Sequence, residues 1–201
     1  MPAGDNQHHL SVSTATGNAV APGLTLADEG TTRDIEPAAT SLSAWALFIA
    51  VAGTGLLADL WSKYAVFVWL GYGRGAKTVI LIPNVLALKT TLNGGAVFGI
   101  GQGLALVFIL VSLVAVGFVV YVFMSSSRRQ WVMHIALGLI LAGAMGNLYD
   151  RIFNHGNVRD FLMFLHYWPW IFNLADAMLC IGVPLLILCW GFQKPRPRRS
   201  C

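Results

Sequence analysis

Four stretches of this chain stay apolar for about the length needed to cross a bilayer, and the polar residues that interrupt them gather near their ends. The first covers residues 42–58, and its helix is expected to continue past Asp59 to about Val68. The second lies between Lys89 and Arg128, with its helical part over 104–124. The third covers 130–149. The fourth starts after Trp170 and ends near Phe192, with Asp176 as its only charge. A spanning helix takes about 20 predominantly apolar residues, and each stretch comes close. Four spans put both termini on one side. Residues 71–103 follow a different pattern. Gly71-Tyr72-Gly73-Arg74-Gly75 supplies flexible backbone. Residues 78–82 and 85–92 are β-prone runs around Pro83-Asn84, and Asn93-Gly94-Gly95 is a turn signal. The pattern predicts an all-α membrane protein, a four-helix transmembrane bundle with a small antiparallel β-element on one membrane face. Residues 1–41 have no apolar period and read as a disordered tail. They are long and acidic, unlike a signal peptide. Residues 42–193 form the membrane domain, and 194–201 a basic tail.

Composition supports the membrane class. The chain is 56% hydrophobic and 11% charged, whereas soluble domains carry about a quarter charged residues. Residues 1–41 hold one arginine against five acids, and residues 42–201 hold twelve basic residues against four acids. A basic membrane body suits anionic lipid head groups. Nucleic acid is the weaker partner, because these charges are scattered between spans. Basic residues divide evenly between the two sides, six against six, so the positive-inside rule leaves a tie. The dense cluster after the last span leans the C-terminus toward the cytoplasm. Cys180, Cys189 and Cys201 show neither a disulfide framework nor zinc spacing.

The four acids after residue 41 are Asp59, Asp150, Asp160 and Asp176. Each sits at the end of a predicted span or in a short loop beside one, and all four fall at the same membrane face. Ionisable groups at membrane depth are expensive and usually functional. Asp59 and Lys63 share a helix face, either as a structural ion pair or as a substrate contact. Ala142, Gly143 and Gly146 have the small-residue spacing that lets helices approach closely. Asn147, Asp150 and Arg151 then cap the third span. Asn173 and Asp176 share a face near the start of the fourth. The loop over 151–170 can fold back so that Asp160 meets Asp176. Two carboxyl groups held together in a half-dry site share one proton. The ionised member can take a proton from water while the protonated one polarises a carbonyl. That division of labour hydrolyses an amide with no metal or cofactor.

Five boxes carry a resemblance. Asp59-Leu-Trp-Ser-Lys63, Asn93-Gly-Gly-Ala-Val-Phe98, Gly143-Ala-Met-Gly-Asn147-Leu-Tyr-Asp-Arg151, Val158-Arg-Asp160-Phe161 and Phe172-Asn173-Leu-Ala-Asp176 occur in this order. Together they resemble the boxes of bacterial lipoprotein signal peptidase, or signal peptidase II, over roughly residues 44–192. The resemblance implies four transmembrane helices with a β-cradle on the periplasmic side, and both termini in the cytoplasm of a multi-pass inner-membrane protein. It implies an aspartyl protease, inhibited by globomycin, that cuts diacylglyceryl-modified prolipoproteins just before the lipidated cysteine. By motif, Asp160 and Asp176 match the catalytic dyad. Asp59, Lys63, Asn93, Gly94, Phe98, Asn147, Arg151 and Asn173 match residues that line the site and position substrate. Arg159 departs from the family, which usually has a small apolar residue there; Val97, Gly99 and Ala177 are further departures. A monomer is expected.

Other readings are weaker. A small proton- or ion-coupled transporter also suits aspartates within spans, but the midplanes of all four spans are clean. A serine protease lacks its Gly-x-Ser-x-Gly run, and Ser112 has no evident base. A zinc protease lacks a His-Glu-x-x-His run, since glutamate is absent after residue 36. His166, Tyr167, Trp168 and Trp170 read as an interfacial aromatic belt, and His155 as a solvated loop histidine. Gly94 and Gly95 are expected to let the β-element cover the site.

Overall fold

The computed structural model describes residues 36–95, 103–165 and 170–191. Its four long helices are α1 (Leu42–Leu70), α2 (Ala105–Ser125), α3 (Trp131–Phe153) and α4 (Leu174–Gly191), each long and apolar enough to cross a membrane. α3 is the centre, packed against α1, α2 and α4. Of its most apolar window, 67% is buried, against 17–22% for the other three. Lipid is as apolar as leucine, so helices in a bilayer associate through close packing of small residues. The glycines show this directly. A Cβ at Gly138 would lie 2.9 Å from Val51 of α1, and one at Gly143 would lie 2.5 Å from the Ala175 carbonyl of α4. One at Gly55 would meet Ala142 and Met178, both at 2.8 Å.

A four-stranded antiparallel sheet sits at one end of the bundle. Its strands are β1 (Val79–Ile82), β2 (Leu86–Asn93), β3 (Val158–Phe164) and β4 (Ile171–Phe172), in that spatial order. Leu88 and Phe161 bury themselves against Leu70 at the end of α1, and Thr90 Oγ1 donates to the Gly71 carbonyl at 2.7 Å. Gly71 ends α1 at φ 75°, a left-handed conformation that glycine adopts freely. The sheet is thereby docked on α1 and brings β3 over the ends of α3 and α4.

Three boundaries differ from the sequence reading. α3 runs a turn further, through Asp150 and Arg151 to Phe153; Asp150 is paired with Lys63 and Arg159, and Arg151 donates to the Asn147 and Gly95 carbonyls, so neither charge ends the helix. The segment 151–170, read as a loop, contributes β3, and β4 takes residues read as the start of the fourth span; the two strands double the expected hairpin. Residues 36–41, read as part of the tail, belong to the bundle. They form a short 3-10 helix, Ala38–Thr40, beside the turn between α2 and α3. The Ala38 N–H donates to the Ser126 carbonyl at 2.8 Å, and the Arg128 N–H to the Glu36 carbonyl at 3.0 Å. At this end His134 is buried, with Nε2 3.0 Å from Ser126 Oγ. Residues 1–35 and 192–201 lie outside the described residues.

Candidate active site

The start of α4 fixes the first carboxylate. Asn173 precedes the helix, and its Oδ1 accepts from the Asp176 N–H at 3.0 Å, while Asp176 Oδ2 accepts from the Asn173 N–H at 3.3 Å. This is a reciprocal capping box, with asparagine and aspartate in its two roles. The intervening Ala175 N–H donates to Asp59 Oδ1 of α1 at 2.8 Å. Side-chain acceptors thus satisfy two amides of the first turn. The carboxylate also sits where the helix dipole favours negative charge.

Strand β3 fixes the second. Asp160 pairs in register with Thr91 of β2. Its Oδ2 accepts from Asn93 Nδ2 at 3.0 Å and its Oδ1 from Asn173 Nδ2 at 2.7 Å. Burial, followed by the charge of Asp176, pushes the Asp160 carboxyl up to about 7. Asn173 therefore touches both acids, one through its side-chain amide and the other through its cap.

Beneath this pair lies a charged network on α1 and α3. Lys63 Nζ reaches Asp59 Oδ2 at 2.7 Å, Asp150 Oδ2 at 3.1 Å and Asn147 Oδ1 at 3.2 Å. Asn147 accepts from Asn173 Nδ2 at 3.1 Å and donates through Nδ2 to Asp176 Oδ1 at 2.8 Å. The network thus runs from the buried lysine to the Asp176 carboxylate. Gly146 lets Asp59 approach, since a Cβ there would overlap its carboxylate. Arg151 Nη2 donates to the Gly95 carbonyl at 3.1 Å, and its guanidinium lies 5.1 Å from the centre of the Phe108 ring.

Asp160, Asp176, Asn93, Asn147 and Arg151 all line one cavity of about 240 Å³. Phe108, Val111, Ser112 and Ala115 of α2, with Ile140 and Ala144 of α3 and Leu179 of α4, form its apolar walls. The cavity is polar at the sheet end and apolar along the helices. Asp59 and Lys63 have no exposed surface and stand behind the wall. Gly94 is half-buried just after β2. Phe98 and the aromatic residues 166–168 fall outside the described residues. The sequence reading missed the Asp150–Arg159 pair and the α2 wall. Only the recurrence of Phe108, Val111, Ser112 and Ala115 at steps of three and four residues along one helix hinted at the wall.

This architecture has relatives. Residues 51–192 match the profile of the family described as Signal peptidase (SPase) II. The chain belongs to the signal peptidase II family. Lipoprotein signal peptidases of Desulfitobacterium hafniense and Anoxybacillus flavithermus are similar to this peptidase. The first is 37% identical over 124 residues, covering 62% of this chain and 81% of that protein. The second is 39% identical over 159 residues, covering 77% and 91%. A bacterial membrane enzyme solved by the in meso method at 2.3 Å has a TM-score of 0.66 and 28% identity, over 75% of this chain and 94% of its own. The peptidase is accordingly an aspartic-type protease and a multi-pass membrane protein. The transporter alternative falls with that membership.

Proposed function

We propose that this peptidase removes the signal peptide from diacylglyceryl-modified prolipoproteins, cutting just before the lipidated cysteine, with Asp160 and Asp176 activating the water. The observation that carries the reading is a shared cavity holding both acids over a local charge count that is one proton short. Lys63, Arg151 and Arg159 are three cations, and Asp59, Asp150, Asp160 and Asp176 are four carboxylates. The cluster is electroneutral when the pair holds one proton, and an isolated charge in a dry site is costly. Asp160, raised to about 7, is the member that carries it. Asp176, capped at the helix start, is the base that accepts a proton from water. Asp160 then donates to the carbonyl oxygen of the scissile bond as the tetrahedral intermediate forms. Apparent pKa values belong to the pair.

Substrate shape supports the same reading. The precursor's scissile bond lies next to its own acyl chains. A polar pocket continuous with apolar walls accepts that bond while the lipid stays in the bilayer; exposing acyl chain would cost about 0.8 kcal/mol per CH₂. Asn93, Asn147 and Arg151 face the peptide, and Gly94 lets the sheet close over it. Asp59 and Lys63 act from behind, by holding Asn147 and the start of α4. In this reading the sheet faces the periplasm and both termini the cytoplasm. The test is cleavage of a lipidated precursor by Asp160→Asn and Asp176→Asn. Each is expected to lose at least about a thousandfold in kcat. Near-normal turnover by either variant removes the pair mechanism.

A further inference from the structure

Arg159 enters the account so far only as one of three cations, yet it makes three polar contacts to one buried acid beside the site. Its Nη2 and Nε lie 2.6 and 3.0 Å from Asp150 Oδ1, and its backbone N–H donates to Asp150 Oδ2 at 3.0 Å. One residue thus holds both oxygens of a completely buried carboxylate. Asp150 lies in the last turn of α3 and Arg159 in β3, nine residues apart. The turn between them contains His155 at φ 53° and Gly156 at φ 84°. The contacts close that turn and fasten the strand to the helix. Side chains alternate across a strand, so Arg159 grips the bundle on one face while its neighbour Asp160 meets Asn93 and Asn173 on the other.

Charge gives the same residue a second task. Lys63 is shared between Asp59 and Asp150, at 2.7 and 3.1 Å, and one cation cannot neutralise two carboxylates. Arg159 supplies the missing positive charge, with only 18% of its side chain exposed, so the charge is poorly screened. We propose that Arg159 is a positioning residue of this peptidase: clamped on Asp150, it fixes β3 so that Asp160 meets Asp176, and it cancels the charge that Lys63 leaves over. This inference rests on the Asp160–Asp176 pair being the catalytic centre.

The groups facing Asp160 are Asp176 from α4, Asn173 before it, Asn93 from β2, Lys63 and Asp59 from α1, Asp150 and Arg151 from α3, and Arg159 on its own strand. Losing one cation from that set makes both acids of the pair harder to ionise, so both limbs of the activity profile move to higher pH. The experiment measures kcat and KM against pH for the full-length peptidase on a synthetic diacylglyceryl-modified peptide. It compares wild type, Arg159→Met, Arg159→Lys and Asp160→Asn, with thermal unfolding of each in the same micelles. Arg159→Met is expected to lower kcat by about 10–100-fold, as outer partners of a reacting group do, with KM within about threefold and the limbs displaced upward by about half a pH unit or more. Arg159→Lys restores the limbs but only part of kcat, because an ammonium cannot reproduce the two-pronged contact. Unmoved limbs in Arg159→Met, a rise in KM alone, or a rate loss fully accounted for by unfolding would each overturn the inference. Asp160→Asn separates the two readings. If it is inactive while Arg159→Met keeps wild-type rate and limbs, only the arginine's role falls; if it stays active, the pair itself falls.

Discussion

Each of the three N–H bonds of Lys63 meets a different acceptor, on Asp59, Asp150 and Asn147, and an ammonium has no fourth to offer. The lysine is therefore a fixed joint between α1 and α3. Lys63→Met would strand the buried Asp59 carboxylate and leave Asp150 to Arg159 alone. Breaking a buried ion pair from one side costs about 3–5 kcal/mol, and unfolding in micelles should show a loss of that order. A loss below about 1 kcal/mol would mean that water reaches these acids. Asp160 makes a prediction of opposite sign. Its carboxyl is raised from 3.8 to about 7, so the folded protein holds this proton more tightly than the unfolded chain. The associated stability is complete below about pH 4 and is lost as pH rises toward 7. Asp160→Asn, neutral throughout, should escape that loss and become more stable than wild type above pH 7, by on the order of 4 kcal/mol. Parallel stability curves from pH 4 to 8 would refute this.

Among the elements, α3 and α4 make the closest approach to backbone recorded at a described helical glycine. Gly143 faces the Ala175 carbonyl, in backbone that cannot yield as a side-chain tip can. Gly143→Ala should force the helices apart and cost about 1–3 kcal/mol. Gly53→Ala, where a Cβ meets nothing within 4 Å, should cost nothing and would serve as the control. Equal effects would show that the packing is not what holds α4. These helices were largely legible in the sequence, because an apolar run of spanning length admits few other folds. The end of α3 was not. Asp150 and Arg151 look like a terminus until Lys63 and Arg159 are seen beside Asp150. Strands β3 and β4 were hidden differently. Val158-Arg-Asp-Phe-Leu-Met-Phe164 has the β-prone composition of a strand behind the Gly156-Asn157 turn, but its pairing partner, β2, lies some seventy residues earlier. The acids themselves stood out by their cost in a membrane. What spacing could not reveal was Asn173 touching both, since that contact depends on where the sheet docks.

Over the whole molecule, α2 is the loosest member. It is the least buried span, yet it supplies one entire side of the cavity through Phe108, Val111, Ser112 and Ala115. Ala115→Trp should fill that space without touching the polar end. It is expected to raise KM for a lipidated peptide by about tenfold or more while leaving the pH dependence of kcat in place. An unchanged KM would place the acyl chains elsewhere.

Under the proposed mechanism, the reciprocal cap at the start of α4 ties catalysis to helix integrity. In that mechanism Asp176 is both a reacting group and the acceptor that holds the Asn173 amide. Whenever it takes a proton during turnover, that amide loses much of its partner's pull, and the first turn of α4 loosens until the proton leaves. Each catalytic cycle therefore tugs once on the peg that seats the last helix. Spectroscopy of the Asn173 amide would read out the protonation of a carboxyl group several bonds away. It also follows that substitutions at Asp176 disable the molecule in two ways at once, leaving Asp160 as the cleaner place to dissect the chemistry.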